Sequence, residues 1–423
     1  MKNIITEFTA HIGIDWADQK HDYCIQGQKH SKREFGILSH SPESIDEWVL
    51  SLHKRFGGQI AVAVELTRGP IVYALQKYNF ITIFPVNPTL LAKYRDAFTP
   101  SGAKDDPTDA EFALDLMLNY PGKIKALTMQ SEDMRKLGYL VEQRRKLVDD
   151  RNRFGNRLTN ALKQYFPQLL KLFSHRDTAL FCSFINRWPT LQKLKRARKE
   201  TVRKFFLSSG GRAVALIEQR IEAINNAQHI TEDRSIIETH QLLALSLTTQ
   251  ITATVKSIKI YDEEIDKLFN GMPDADLFKS LPSAGLCMAP RLLVAMGENR
   301  DRFKHASEVQ MYAGIAPVTQ RSGQKSWVHW RWQCSKFIRQ SFIEWSAKTV
   351  YSSYWAGLYY AQQRQKGNTH QSAVRALSFK WIRILFRCWK SRTPYSESKY
   401  LKSLRDRNSP LLLLETVDER LRA

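Results

Sequence analysis

The chain has 423 residues, 43% of them hydrophobic and 25% charged, which is room for two or three ordinary cores and excludes both wholesale disorder and a disulfide-stapled miniprotein. No apolar run reaches the roughly 18 residues of a membrane span, Met1 to Ala10 lack a signal-peptide core, and the five scattered cysteines form no CxxC pair, so a membrane or secreted protein and a zinc ribbon are disfavoured and the cytoplasm is the expected address. A formal net charge of +22 calls for a polyanionic partner, nucleic acid ahead of an anionic membrane.

Hydrophobic alternation over Ala10 to Trp16, Tyr23 to Gln26 and Phe35 to Leu38 predicts three short strands in an antiparallel meander. A helix follows from Pro42 to about Phe56, capped by Ser41, with Ile45, Trp48, Val49 and Leu52 on one face. The run Ile60 to Val64 is apolar and β-branched, as a strand buried on both faces should be. Helix Gly69 to Tyr78, strand Phe80 to Phe84 and helix Pro88 to about Phe98 complete two crossover units. Three strands followed by alternating helices and strands is the element order of a ribonuclease H-like domain, assigned here to residues 1–121.

After Pro121 the pattern turns to long helices, and residues 122–274 read as a coiled-coil arm. From Glu132 to Tyr165 apolar residues recur at helical spacing, with a stop at Pro167. In a second long helix Ala244, Ile251, Ile258 and Ile265 fall at heptad position a, and Leu247, Thr254, Tyr261 and Leu268 at d, ending at Gly271. The two can pair within one chain or across a dimer. Between them Phe181 to Arg212 reads as a short, basic, irregular tip. Residues 275–392 form a third, mostly helical domain, and 393–423 a polar, loosely packed tail. The fold class is therefore α/β plus all-α.

Charge is distributed unevenly along this order. The first 120 residues hold 12 Lys/Arg against 15 Asp/Glu, so the positive excess lies wholly beyond them. From Arg321 to Arg392 there are 14 basic residues and one acid, Glu344, together with seven of the ten tryptophans. Arg321, Lys325, Arg331, Lys336 and Arg339 are candidate phosphate contacts, and Trp327, Trp330 and Trp332 candidate stacking groups. A helix with an aromatic core and a solvated basic exterior is the alternative.

Four carboxylates stand at the ends of the first domain's elements. Asp15 ends the first strand, Glu65 ends the fourth, and Asp106 and Asp109 open the helix after the third crossover. On a ribonuclease H-like sheet the first and fourth strands are neighbours, so these positions converge at one edge. Such an oxygen-only set suits two Mg²⁺ ions and phosphodiester displacement, and argues against zinc. Asp106 as helix cap with Pro107 at the first position, Asp15 as a turn residue and Glu65 as a solvated side chain are the structural alternatives. Asp18, Asp22 and Asp105 rank below the four.

The segments Ile12-Gly13-Ile14-Asp15-Trp16, Val64-Glu65-Leu66-Thr67-Arg68-Gly69 and Lys104-Asp105-Asp106-Pro107-Thr108-Asp109-Ala110 resemble the N-terminal motifs of the DEDD transposases, a family that includes bridge-RNA-guided recombinases and Piv-type invertases. Leu281-Pro282-Ser283-Ala284-Gly285-Leu286, Tyr312-Ala313-Gly314-Ile315-Ala316-Pro317 and Arg321-Ser322-Gly323 are similar, in order and spacing, to that family's C-terminal domain. Ser283 departs from the pattern, standing where the family usually has Gly. The resemblance implies a RuvC-like first domain, Mg²⁺ on Asp15, Glu65, Asp106 and Asp109, and Ser322 as nucleophile. It further implies double-stranded DNA and a structured guide RNA as partners. A homo-oligomer with sites completed between protomers is the expected assembly, acting on a bacterial or archaeal nucleoid. A junction-resolving endonuclease that uses water, and a non-catalytic nucleic-acid scaffold, remain as alternatives; Ser322-Gly323 could be an ordinary turn.

Overall fold

The computed structural model describes residues 7–28, 32–99, 105–208 and 213–412, so Lys104 of the third acidic motif lies outside the described residues. The chain divides into two compact units, Met1–Met129 and Gln130–Ala423.

The first unit is built on a mixed five-stranded sheet of order β3-β2-β1-β4-β5. Strands β1 (Ala10–Asp15), β2 (Lys20–Gly27) and β3 (Arg33–Ser39) form the antiparallel meander, while β4 (Ile60–Val64) and β5 (Ile81–Pro85) extend it in parallel from β1. Helices α1 (Pro42–Phe56), α2 (Pro70–Leu75), α3 (Pro88–Phe98) and α4 (Asp106–Asn119) complete it. Strand alternation sorts the central residues into two cores. Ile12, Ile14, Val62 and Val64 meet Ile45, Val49, Leu52 and Val72 of α1 and α2 on one face. Cys24, Ala61 and Ala63 meet Ala110, Ala113, Leu114 and Met117 of α4 on the other.

That second face is made of small residues for a reason. A Cβ at Gly13 would lie 2.0 Å from the Ala110 carbonyl oxygen and 2.7 Å from the Leu114 amide nitrogen, so the α4 backbone rests directly on β1. Arg33, at the β2–β3 end aligned with the start of β1, holds Glu111 at 2.7 Å and also grips Asp115. The later turns of α4 thus point toward the start of β1, and its N-terminus toward the strand's end.

In the second unit α5 (Glu132–Tyr165) and α11 (Arg234–Asn270) pack side by side along most of their length. The pair is antiparallel: Leu158 and Leu162 share a core with Ala244, Leu247 and Ile251, whereas Met134, Leu137 and Val141 share another with Ile265 and Phe269. The heptad seam read from the sequence is the buried seam, with Ile251, Thr254, Ile258 and Ile265 buried. Arg144 clamps Asp262 across the pair through two hydrogen bonds.

The tip departs from the irregular segment expected. Helices α6 (Leu169–Leu172), α7 (Ala179–Arg187), α8 (Leu191–Lys195), α9 (Lys199–Ser208) and α10 (Val214–Asn225) enclose Phe173, Phe181, Phe184, Trp188, Phe205 and Phe206, a core of their own; residues 209–212 lie outside the described residues. The basic residues there masked an aromatic spacing of three to four that a helix buries.

At the other end of the pair lie α12 (Ala275–Lys279), α13 (Gly285–Met296) and α14 (Ala306–Tyr312), a hairpin of β6 (Val318–Ser322) and β7 (Lys325–His329), and then α15 (Lys336–Ser352), α16 (Tyr354–Gln365), α17 (His370–Ser391) and α18 (Glu397–Asp406). The expectation of a loose tail fails for its first half. Leu404 and Leu411 are buried in the main core, and Tyr395 donates its hydroxyl to Glu397 at 2.6 Å. Residues 413–423 lie outside the described residues. No helix among the described residues is long and apolar enough to cross a membrane.

Candidate active site and nucleic-acid interface

Strand pairing brings two of the four predicted acids together. Ile14 is in register with Val64, so Asp15 and Glu65 leave adjacent parallel strands side by side, about 4.8 Å apart. Alternation turns Asp15 toward the α4 face, opposite to Ile14, while Glu65 is the first residue beyond β4. The N-terminus of α4, with Asp106 and Asp109, reaches the same end of the same face. Asp106 is not the cap expected from the sequence: the helix begins one residue earlier, with Asp105 in the capping position and Asp106 in the first turn. Asp106 is half-buried, and Asp109 is buried at 2% exposure.

Asp109 is also claimed by a cation. Arg95 of α3 donates Nε–H to its Oδ1 at 2.6 Å. A fifth carboxylate, Asp22, stands directly across from Asp15 in the β1–β2 register and is buried, with Lys20 Nζ at 3.7 Å. The sequence reading ranks Asp22 below the four because a meander partner is invisible until register is known. The donor chemistry fits a hard divalent ion, since the cluster offers oxygens alone. Among the described residues, however, no three His, Cys, Asp or Glu side chains are gathered closely enough to hold one ion. With Asp109 held by Arg95, the set converges without closing.

Beside the cluster, His21 is fully buried. Its Nδ1 accepts a hydrogen bond from the Ala17 amide at 3.3 Å, which leaves Nε2 to donate to His40 Nδ1 at 2.9 Å. Burial first, and the neighbouring His40 second, push its pKa down to about 4.

In the second unit the predicted nucleophile sits at a hairpin tip. Ser322 pairs with Lys325 around a two-residue turn, and Gly323 supplies the positive φ of 58° that such turns demand. Thus Ser322-Gly323 is a turn, and a turn that presents the serine. From Thr319 to His329 every strand residue is exposed, including Arg321, Ser322, Lys325 and Trp327. The two-stranded ribbon thus leaves both of its faces open to solvent. The Ser322 hydroxyl has no hydrogen-bond partner among the described residues.

The base of the hairpin is firmly held. Gly314 adopts φ 66°, and a Cβ there would lie 2.2 Å from Cys334 Sγ. Arg331 donates to the carbonyls of Ala316 and Pro317 at 3.1 and 3.4 Å. Arg339 donates to the carbonyls of Arg331 and Trp332 at 2.9 and 3.2 Å. These two predicted phosphate contacts spend donors on loop carbonyls, whereas Lys336 is exposed at the start of α15.

The tryptophans divide. Trp345, Trp355, Trp381 and Trp389 are fully buried core residues whose indole N–H groups donate to Pro282 O, Tyr395 Oη, Thr349 Oγ1 and Gly297 O. Trp327 and Trp332 are 46% and 80% exposed, and Trp330 is half-buried. The aromatic-core alternative therefore describes the four buried tryptophans, while Trp327 and Trp332 stand at the surface. Ser283 takes φ 53°, the left-handed conformation that favours glycine.

Comparison with known proteins covers both regions. Residues 12–167 match a DEDD-type transposase family model, and residues 275–361 match the model described as Transposase IS116/IS110/IS902 family. A Streptomyces coelicolor protein named for the IS117 mini-circle is 26% identical over 402 residues, 92% of this chain and 96% of its own length. A 43.6 kDa protein of insertion element IS110 from the same organism is 24% identical over 302 residues, 70% of this chain and 73% of its own. A 42 kDa protein of insertion element IS900 from Mycobacterium paratuberculosis is 23% identical over 264 residues, 61% and 65% of the two chains. With both domain models matched in order and a relative aligned almost end to end, the chain belongs to the DEDD-type IS110 family of transposases.

Proposed function

We propose that this transposase excises and integrates its own insertion sequence through a divalent-metal carboxylate site and a serine-linked DNA intermediate. The observation that supports the reading is that strand pairing leaves Asp15 and Glu65 at neighbouring strand ends, on a sheet crossed by the helix that opens with Asp106 and Asp109. The strand order β3-β2-β1-β4-β5 supports a ribonuclease H-like, RuvC-like assignment for this domain. Asp15, Glu65, Asp106 and Asp109 would hold Mg²⁺, most simply as a pair of ions, once Asp109 exchanges its Arg95 partner for metal. Bound there, the metal supplies positive charge against a phosphodiester's oxygens.

Ser322 carries the covalent step in this reading. Its Oγ attacks a phosphorus, the phosphoserine bond forms as the bond to one deoxyribose oxygen breaks, and the hydroxyl proton ends on that departing oxygen. Attack by a deoxyribose hydroxyl on the phosphoserine reverses the step and returns the proton to Ser322. The phosphodiester energy is conserved, so strands rejoin without ATP. Arg321 and Lys325 flank the serine and neutralise neighbouring phosphates, and exposed Trp327 offers a base-stacking face. We further propose that an element-encoded structured RNA guides target choice and that the chain works as a homo-oligomer, one copy's acids serving another copy's serine.

One observation favours a second reading. Ser322 lacks an activating partner among the described residues, as expected if water attacks the DNA and the protein acts as a junction-resolving endonuclease. Incubating the purified protein with flanking RNA, both DNA ends and Mg²⁺ separates the readings. A protein–DNA adduct that disappears in Ser322→Ala supports the first. Nicked ends unaffected by that change support the second, and no cleavage under any condition leaves a nucleic-acid scaffold.

A further inference from the structure

The base of the serine hairpin holds a concentration of positive charge and unused donors. The Arg375 guanidinium of α17 lies over the Trp330 ring at 3.7 Å, and the Arg339 guanidinium lies over the same ring at 5.0 Å. Each contact is favourable alone, but it draws two cations to one indole. Arg375 makes no ion pair or hydrogen bond among the described residues; its Nε is buried without a partner, as is Trp330 Nε1. Burial and the nearby Arg339 both lower the Arg375 pKa. No carboxylate is paired with either arginine, although the acids of this unit are used freely elsewhere: Glu344 takes Arg291 and Arg145, and Asp274 takes Arg300.

Arg339 spends donors on the carbonyls of Arg331 and Trp332, whereas among the described residues Arg375 has only the Trp330 ring. An arginine with spare donors and a second guanidinium share one indole whose own N–H is orphaned, and Arg339 belongs to the first turns of the 17-residue α15. Every one of these groups donates and none accepts. What completes such a set is an anion with several acceptor oxygens. A planar guanidinium fixed on an aromatic ring meets a phosphate with two parallel N–H donors.

We infer that Arg375, braced on Trp330 and backed by Arg339, is a phosphodiester-binding subsite at the base of the β6–β7 hairpin. It is separate from the hairpin tip: six residues of strand and turn, about 20 Å, lie between Trp330 and Gly323. The subsite therefore grips nucleic acid some distance from Ser322 and sets where the hairpin lies along it. The inference rests on the nucleic-acid reading above and adds a position to it.

The test is the salt dependence of binding by the full chain to duplex DNA, single-stranded DNA and RNA oligonucleotides of equal length. For Arg375→Gln the slope of log K against log salt is expected to fall by about 0.9 on duplex DNA, or about 0.7 on a single strand, with affinity about tenfold lower or more. The ligand class that loses slope identifies the source of the phosphate. Steep salt dependence in the native protein, unchanged by Arg375→Gln on all three ligands, overturns the subsite while leaving the nucleic-acid reading intact. Absence of salt-dependent binding by the native protein overturns both. Phenylglyoxal modification of the native chain provides a second readout that does not depend on the folding of Arg375→Gln. Protection of the Arg375 peptide by bound nucleic acid is expected, and equal modification with and without it overturns the inference.

Discussion

The contact between Gly13 and α4 converts one methyl group into a test of the whole carboxylate arrangement. In Gly13→Ala the new Cβ would start 2.0 Å from the Ala110 carbonyl oxygen, against about 3.3 Å for a tolerable carbon–oxygen approach. The helix must retreat by about 1.3 Å, and both obstructing atoms nearest the methyl belong to backbone, so no side-chain rotation relieves it. Overpacking of this kind costs about 3 kcal/mol or more, and the retreat loosens Ala110, Ala113 and Leu114 from Ala61, Ala63 and Cys24. Urea denaturation should therefore show a midpoint shift worth at least about 3 kcal/mol, a large part of an ordinary domain's stability. Single-turnover DNA cleavage on the folded fraction should fall further, because Asp106 and Asp109 ride on the displaced end. A loss below about 1 kcal/mol, or rescue by Ala110→Gly, would refute the reasoning, since the obstruction is the peptide unit and not the Ala110 methyl.

Three further outcomes follow from described contacts. Arg95→Leu strands the buried Asp109 carboxylate and should cost about 3 kcal/mol in chelator, with most of it recovered in the Arg95→Leu, Asp109→Asn double variant; strictly additive losses in denaturation would exclude the pair as the cause. His21 is held neutral with a pKa near 4, below its unfolded value, so its contribution is complete above pH 6.5 and is lost as pH falls toward 4, by at most about 3 kcal/mol; the stability–pH curve of His21→Gln should be flatter over that window. Ser283→Gly should raise stability by about 0.5–1 kcal/mol by relieving φ 53°, unless the Ser283–Ser352 hydrogen bond of 2.7 Å outweighs the strain, in which case the melting temperature drops.

What the sequence made legible was whatever repeats with a period. Alternation in Ala10 to Asp15 and the continuous apolar run Ile60 to Val64 located the central strands, and the spacing of Ala244, Ile251, Ile258 and Ile265 located the buried seam of the long helix. Local chemistry placed Asp15 and Glu65 at strand ends. Information that depends on register or on distant partners was hidden. Asp22 becomes a neighbour of Asp15 only through the β1–β2 pairing, and Arg95 reaches Asp109 only because α3 and α4 pack together. The β6–β7 hairpin escaped because both of its faces are exposed and neither is consistently apolar, which removes the alternation that announces a strand. Likewise the tryptophans between Arg321 and Arg392 could be sorted into core and surface only by the partners of their indole nitrogens.

The antiparallel helix pair has a consequence for how its length can change. Its two ends are fixed into separate cores by Leu158 with Leu247 at one extreme and Leu137 with Ile265 at the other, and only the seam joins them. Seven residues added to or removed from both helices alter the reach by about 10 Å and return each face almost to its starting direction. A change of one or two residues swings the tip by about 100° per residue and exposes the seam. The arm is thus a ruler graduated in heptads: the distance between its two cores can change by whole steps of seven residues without unseating either end.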